Sequence, residues 1–383
     1  MNEKPPFPLR LGFDAKRAFQ NAAGLGNYSR FVLKALREHA PQLDLFAYTP
    51  RRKTELFPTF PTDRIKTPEG FPYQQLPALW RSYGLVRDLR RDGVQLYHGL
   101  SNELPTGLAA AGVRSVVTIH DVIFERFPHL YPWLDRQFYR AKTKAACAQA
   151  DVIVAVSQQT KNDLIEFYGI DAERIQVVYQ DCQPAFQSRI SKENIEAVLA
   201  KYGLDKSELY ILSVGTIEER KNQIRLVEAF AKLPSKDSKL VIVGRPTAYA
   251  QKLRQRITEL QLGNEVHLLH DVPSQDLPAL YQGARVFAYV SIFEGFGIPI
   301  VEALHSGVPV LAATGSCLEE AGGPGALYAS PTDIEQMAGV LSQLLEDVPL
   351  RSQLISAGTQ HVQQFSAKNI AKQLTEIYTE ILP

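Results

Sequence analysis

The chain has 383 residues, 45% of them hydrophobic and 22% charged, which excludes a disordered or fibrous protein and suits two domains of ordinary size. A net charge of +1 argues against a general nucleic-acid binder. Three widely spaced cysteines, Cys147, Cys182 and Cys317, make no disulfide framework and no metal-ligand spacing, and no apolar run reaches the roughly 18 residues of a membrane span.

In chain order, short β-branched runs alternate with longer amphipathic ones. Strands are expected at 9–14, 43–48, 94–99, 115–121, 151–157 and 175–179, with helices at 26–38, 82–91, 134–148 and 158–168 between them. That alternation predicts βαβ units and a parallel sheet. The segment 182–191, carrying Pro184, reads as a connection, since proline discourages helix in the residue before it. The pattern then restarts with a helix at 191–202 and strands at 209–215, 239–244, 265–271, 284–290 and 308–313. The last stretch, 366–382, places Ile370, Leu374, Ile377 and Ile381 at helical spacing and needs an apolar partner. The expected division is 1–185, 186–365 and a terminal helix at 366–383. Two doubly wound α/β domains in series bind ligands beyond the carboxyl ends of their strands, so the chemistry is sought there.

Four stretches qualify. After the strand at 284–290 comes Ser291-Ile-Phe-Glu294-Gly-Phe296-Gly297-Ile298-Pro-Ile-Val-Glu302. A helix starting near Gly297 offers free N–H groups and a positive dipole end to an anion, and Glu294 and Glu302 can accept bonds from hydroxyls. Gly215-Thr216-Ile-Glu-Glu-Arg220-Lys221-Asn222 follows the strand at 209–215; adjacent cations at a helix start make sense against a bound phosphate. His120, in Thr118-Ile-His-Asp, ends a first-half strand, where it can donate to a sugar hydroxyl or handle a proton near neutral pH. Gly24 and Gly26, in Gly-Leu-Gly-Asn-Tyr-Ser, enter the first long helix and would let backbone approach a phosphate. Each stretch alone also reads as an ordinary strand–turn–helix, a solvated charged loop or a locally satisfied histidine. Dinucleotide, Walker A, zinc and nucleophile-elbow patterns are absent.

Together and in this order, the four stretches resemble the retaining glycosyltransferases of family 4, with the GT-B fold: two Rossmann-like domains facing across a cleft, and a final helix returning to the first. The pair Glu294 and Glu302 looks like that family's two-glutamate signature, and the wording of the other stretches is most similar to a mannosyltransferase-like branch of surface-polysaccharide assembly. The resemblance implies that Lys221, with Arg220, neutralises the donor diphosphate and that Glu302 holds the ribose. Glu294 and the backbone of Phe296, Gly297 and Ile298 would hold the donor sugar, with His120 beside it. Gly26 would crowd the phosphates, and Asp271 and Val272 would meet the nucleobase. Thr216 stands where many relatives carry an arginine, and Arg220 is the substitute expected to supply that charge. The implied substrate is a nucleotide sugar, GDP-mannose ahead of UDP-glucose and UDP-N-acetylglucosamine, with a glycan or lipid-linked acceptor and neither cofactor nor metal.

A glycoside hydrolase, needing two carboxyls across a glycosidic bond, has no use for the neighbouring cations. A sugar-nucleotide epimerase and a silent sugar-nucleotide-binding protein remain as alternatives. Cysteines without a disulfide framework and a start without a signal-peptide stretch lead to the expectation of a reducing cytoplasm. The first 185 residues carry 24 Lys and Arg against 19 Asp and Glu. Arg81, Arg87, Arg90 and Arg91 cluster after Trp80, which suits peripheral contact with an anionic membrane as well as it suits a solvated face.

Overall fold

A computed structural model describes residues 9–382, apart from 206 and 236. By internal contacts the chain forms two units. One runs up to Gln180 and takes back the chain from Phe365; the other is Asp181–Gln364.

The first unit holds a seven-stranded parallel sheet. Its strands are β1 (Leu9–Asp14), β2 (Leu43–Tyr48), β3 (Ile65–Lys66), β4 (Leu96–Gly99), β5 (Arg114–Ile119), β6 (Val152–Ala155) and β7 (Ile175–Val177). Their spatial order is β3-β2-β1-β4-β5-β6-β7. The second unit repeats the scheme with β8 (Leu209–Val214), β9 (Ser238–Val243), β10 (Val266–Leu269), β11 (Val286–Tyr289), β12 (Val310–Ala313) and β13 (Ala326–Ala329), ordered β10-β9-β8-β11-β12-β13. The central strands are apolar along nearly their whole length because helices cover both faces of a parallel sheet. In β11 and β12 every residue is buried.

In both sheets the winding direction reverses once, between β1 and β4 and between β8 and β11. Neighbouring connections leave toward opposite faces there, opening a crevice at the carboxyl ends. The expected α/β class, with two doubly wound parallel sheets, is therefore present.

The terminal helix, Ala367–Ile381, buries Ile370, Ala371, Leu374, Ile377 and Tyr378. It belongs to the first unit, where it lies along the helix Gly24–His39. Two short edge strands, β3 and β13, were not expected from the sequence. The expected helix at 82–91 begins as a wider π turn, Trp80–Gly84, before the regular helix Leu85–Arg91.

Candidate functional site

At the reversal point of the second sheet, β8 runs into Gly215 and Thr216, and a short turn, Glu219–Lys221, ends on Asn222. Asn222 adopts a left-handed conformation, φ 61°, which asparagine tolerates better than most residues. Its side-chain amide donates to the carbonyls of Val290 (3.1 Å) and Pro331 (2.7 Å). The Ile292 amide donates to the Arg220 carbonyl at 2.8 Å. These bonds hold the turn against the end of β11 and bring two stretches some 70 residues apart into one cluster.

In that cluster Lys221 Nζ donates to Tyr289 Oη and to Glu294 Oε1, both at 2.6 Å. Arg220 reaches the other carboxylate oxygen, Oε2, at 2.7 Å, and Glu218 Oε1 at 2.7 Å. The Cys317 thiol donates to the Glu294 carbonyl at 3.0 Å. Burial favours the neutral acid at Glu294, but Lys221 and Arg220 outweigh it and hold the pKa near 2. Burial likewise opposes the Lys221 charge, and Glu294 overcomes it, so the ammonium is held more firmly than usual. All three groups are therefore charged, and the two cations share the one carboxylate of Glu294.

Three residues past Glu294, Gly297 begins the helix Ile298–His305 at φ 129°. A Cβ there would press within 3.1 Å of Ala321 and Leu318, so glycine is required both for the backbone angle and for the tight approach. No side chain caps this helix start. Glu302 lies one turn in, where Tyr281 Oη donates to its Oε2 at 2.8 Å. Burial, only partly offset by that bond, pushes its pKa up to about 7. Ser291 Oγ, at the head of the loop, is buried without a hydrogen-bond partner among the described residues. Asp271, at φ 55°, and Val272 follow β10, two strands from β8 and away from the Lys221 cluster.

In the first unit, His120 follows β5. Its Nε2–H donates to the Leu100 carbonyl at 2.9 Å, which leaves Nδ1 as the acceptor of the neutral ring. Burial, with Arg17 adding to it, lowers the pKa to about 4. The expectation of a ring that donates to a sugar or handles a proton near neutral pH is thus corrected: this imidazole is neutral there and offers a lone pair. Tyr28 stands edge-on to it, with ring centroids 4.6 Å apart.

The sequence reading missed what lies behind Tyr28. Tyr28 Oη is bonded to Thr118 Oγ1 (3.0 Å), Thr118 Oγ1 to His98 Nε2 (2.8 Å), and His98 Nδ1 to Tyr378 Oη (2.6 Å). His98 is fully buried, and that burial, with the neighbouring His120, lowers its pKa to about 3. Thr118 sits inside the quoted Thr-Ile-His-Asp run and Tyr28 inside the Gly-Leu-Gly-Asn-Tyr-Ser run, while nothing in the sequence pointed to His98 or Tyr378.

Gly24 starts the helix Gly24–His39, and a Cβ there would meet nothing within 4 Å. At Gly26 a Cβ would lie 1.7 Å from the Asn21 carbonyl oxygen. What crowds Gly26 is this chain's own backbone, which already explains the glycine. The arginine cluster is also corrected. Trp80 is buried and donates to Asp88 at 2.7 Å, while Arg81 is drawn inward to Asp14 (2.6 Å) and Glu103 (3.0 Å). Arg91 is spent on Glu69, Asp88 and Asp92.

Asp181, Cys182 and His305 bring three potential metal-ligand atoms together. Asp181 is already engaged by His305 Nε2 at 2.9 Å and by Gln187 at 2.9 Å, and burial pushes the Cys182 thiol well above its ordinary value. A protonated thiol is a poor ligand, so the set fits internal hydrogen bonding better than a metal.

Comparison with known proteins bears on both sites. Residues 22–180 match the family model for glycosyltransferase family 4, and residues 194–361 that for group 1 glycosyl transferases. The chain is 32% identical over 312 residues to the O-antigen chain mannosyltransferase B of Escherichia coli, covering 79% of this chain and 80% of that one. It is 30% identical over 236 residues to the O-antigen chain mannosyltransferase RfbU of Salmonella typhimurium, 61% of each. Among solved structures, Anabaena HepE in complex with UDP and glucose superposes with a TM-score of 0.75 at 20% identity, covering 97% of this chain and all of that one.

Proposed function

The chain belongs to the family 4, group 1 glycosyltransferases of GT-B fold, and from that premise we propose that it transfers a mannosyl group from GDP-mannose to a glycan or lipid-linked acceptor with retention of configuration. The mannosyl lean rests on the two O-antigen mannosyltransferase relatives. The observation that carries the donor reading is the cluster of Lys221, Arg220 and Glu294, immediately before an uncapped helix start, at the reversal point of the second sheet.

Breaking the bond at the anomeric carbon leaves positive charge on the sugar and negative charge on the departing diphosphate. Lys221, Arg220 and the amides at Gly297 and Ile298 would receive that negative charge as preorganised donors. Two protein cations supply the charge that a divalent ion would otherwise bring, so transfer should persist in EDTA. Glu294, now bridging the two cations, would yield them to the diphosphate and turn its oxygens to hydroxyls of the donor sugar. Glu302 would take the ribose hydroxyls, and His120 would accept from the transferring sugar through Nδ1. The leaving phosphate would take the acceptor's proton on the face it departs from, which gives retention. The three buried cysteines, none in a disulfide among the described residues, suit a reducing cytoplasm.

Lys221→Ala is expected to reduce turnover on the order of 10²–10³ while circular dichroism and melting stay close to those of the parent chain. Near-parental turnover by that variant overturns the assignment. Thermal-shift measurements against GDP-mannose, UDP-glucose and UDP-N-acetylglucosamine decide the donor. NMR of the product linkage decides the stereochemistry.

A further inference from the structure

Tyr289 is the last residue of β11, a strand buried along its whole length. The other three residues of that strand, Val286, Phe287 and Ala288, are apolar, and a hydroxyl among them needs a hydrogen-bond partner. Its ring lies nearly parallel to that of Phe287, with centroids 6.1 Å apart, so the packing of the strand directs the phenol oxygen. That oxygen stands between two ions. Lys221 Nζ donates to it at 2.6 Å, and it donates to Glu294 Oε1 at 3.1 Å. A Cβ on Gly215 would lie 3.6 Å from Lys221 Cε and 3.8 Å from Tyr289 Cε2, which places the lysine stem beside the tyrosine ring at the end of β8. The ammonium is 5.0 Å from the ring centroid, near enough for the ring to attract it as well.

The two cations of the cluster differ in what they keep when Glu294 turns away. Arg220 keeps Glu218 Oε1 at 2.7 Å and the Phe293 carbonyl at 2.5 Å, so a second carboxylate still offsets its charge. Lys221 pairs with no carboxylate besides Glu294 among the described residues, and Tyr289 Oη is the partner it retains. Burial, reinforced by Glu294, pushes the phenol up to about 12, and it stays neutral near pH 7. A neutral acceptor fixes the direction of an ammonium without cancelling its charge. A preorganised cation that receives a diphosphate needs both properties.

We propose that Tyr289 is a positioning residue for the transfer, its hydroxyl holding the Lys221 ammonium toward the donor diphosphate while Glu294 moves to the sugar. Tyr289 acts through Lys221 and touches none of the reacting atoms, so its role rests on the donor site proposed above. Neither short run that revealed Lys221 and Glu294 contains it. Tyr289 belongs to the apolar strand that comes before them, where it reads as one more buried side chain.

Tyr289→Phe keeps the ring and its packing and deletes only the oxygen, so melting should stay close to that of the parent chain. Losing a hydrogen bond to a charged group should lower kcat roughly ten- to a hundredfold. The donor KM should change by no more than about threefold, because the charge on the diphosphate grows as the bond breaks. A double-mutant cycle separates positioning from packing. In a Lys221→Ala background the same substitution should cost less than about twofold in kcat, since the group it positions is gone. An equal loss in both backgrounds overturns the proposal and leaves Tyr289 a packing residue. So does parental kcat from Tyr289→Phe beside an impaired Lys221→Ala, an outcome that leaves the donor site standing. Parental turnover by Lys221→Ala removes the donor site, and the role of Tyr289 with it.

Discussion

The same sheet order is built twice in this chain, yet the chemistry at the carboxyl ends of the two sheets differs in kind. Around Lys221 the second unit gathers full charges, an ammonium and a guanidinium held by the carboxylate between them. Around Thr118 the first unit builds a neutral hydrogen-bonded series: two histidines whose pKa values burial has lowered to about 3 and 4, two tyrosines and a threonine. A departing diphosphate needs strong fixed charge to receive it, whereas a sugar is recognised through hydrogen bonds of defined direction. The fold supplies the location, and burial together with neighbouring charge decides which kind of site forms there.

The sharpest way to break the contrast is to remove the carboxylate from the charged cluster. Glu294→Gln leaves Lys221 without a counter-ion and Arg220 with Glu218 alone, so free nucleoside diphosphate should bind more tightly by calorimetry. Turnover should fall on the order of 100-fold, because the sugar loses a charged acceptor. Weaker diphosphate binding by that variant would show that Glu294 does not compete for the cations.

A smaller effect is expected from the neutral chain. Tyr378→Phe removes one hydrogen bond, worth about 1 kcal/mol, from the far end of the series that orients Tyr28 against His120. We expect kcat to drop roughly three- to tenfold with the donor KM nearly constant and melting little changed. Thr118→Val, which cuts the series at its centre, should lower kcat further. If Tyr378→Phe alters only the melting temperature, Tyr378 has a structural role and does not position His120.

The mildest test concerns Glu302, whose neighbour Glu294 is held near 2 while it is pushed up to about 7. Ribose hydroxyls donate better to the ionised carboxylate, so donor affinity should rise several-fold from about pH 6 to about pH 8, and Glu302→Gln should flatten that rise. The stability sign is opposite. A carboxyl whose folded pKa is raised from 4.5 to about 7 stabilises the fold fully below its unfolded value. That contribution fades as pH climbs through the folded one. Melting of the unliganded protein should therefore fall over that interval and Glu302→Gln should not follow it.

Much of the fold was legible because its signal is local. The apolar runs behind β1, β5, β8 and β11 declare themselves within six residues, and the period of Ile370, Leu374 and Ile377 identifies the terminal helix. The strands β3 and β13 were not legible, since segments of two and four residues owe their conformation to the neighbour they pair with. Lys221 and Glu294 were found through short runs of sequence, but their mutual neutralisation depends on a contact across 73 positions. The inward turn of Arg81 depends on Asp14, 67 positions earlier, and no local pattern separates it from Arg87, which faces solvent. Tyr378 and His98 were invisible as a pair for the same reason, being 280 positions apart.

That last separation sets the order in which the protein can be finished on the ribosome. The first unit emerges early, but its helix Ala367–Ile381 is synthesised only after the second unit. Until then the groove along Gly24–His39 and the His98 ring wait uncovered while the whole second unit is made. A nascent chain stalled before residue 367, or one clipped there, would therefore carry a damaged first unit beside a second unit whose own segments are all present, so that a late loss is felt in the part made early.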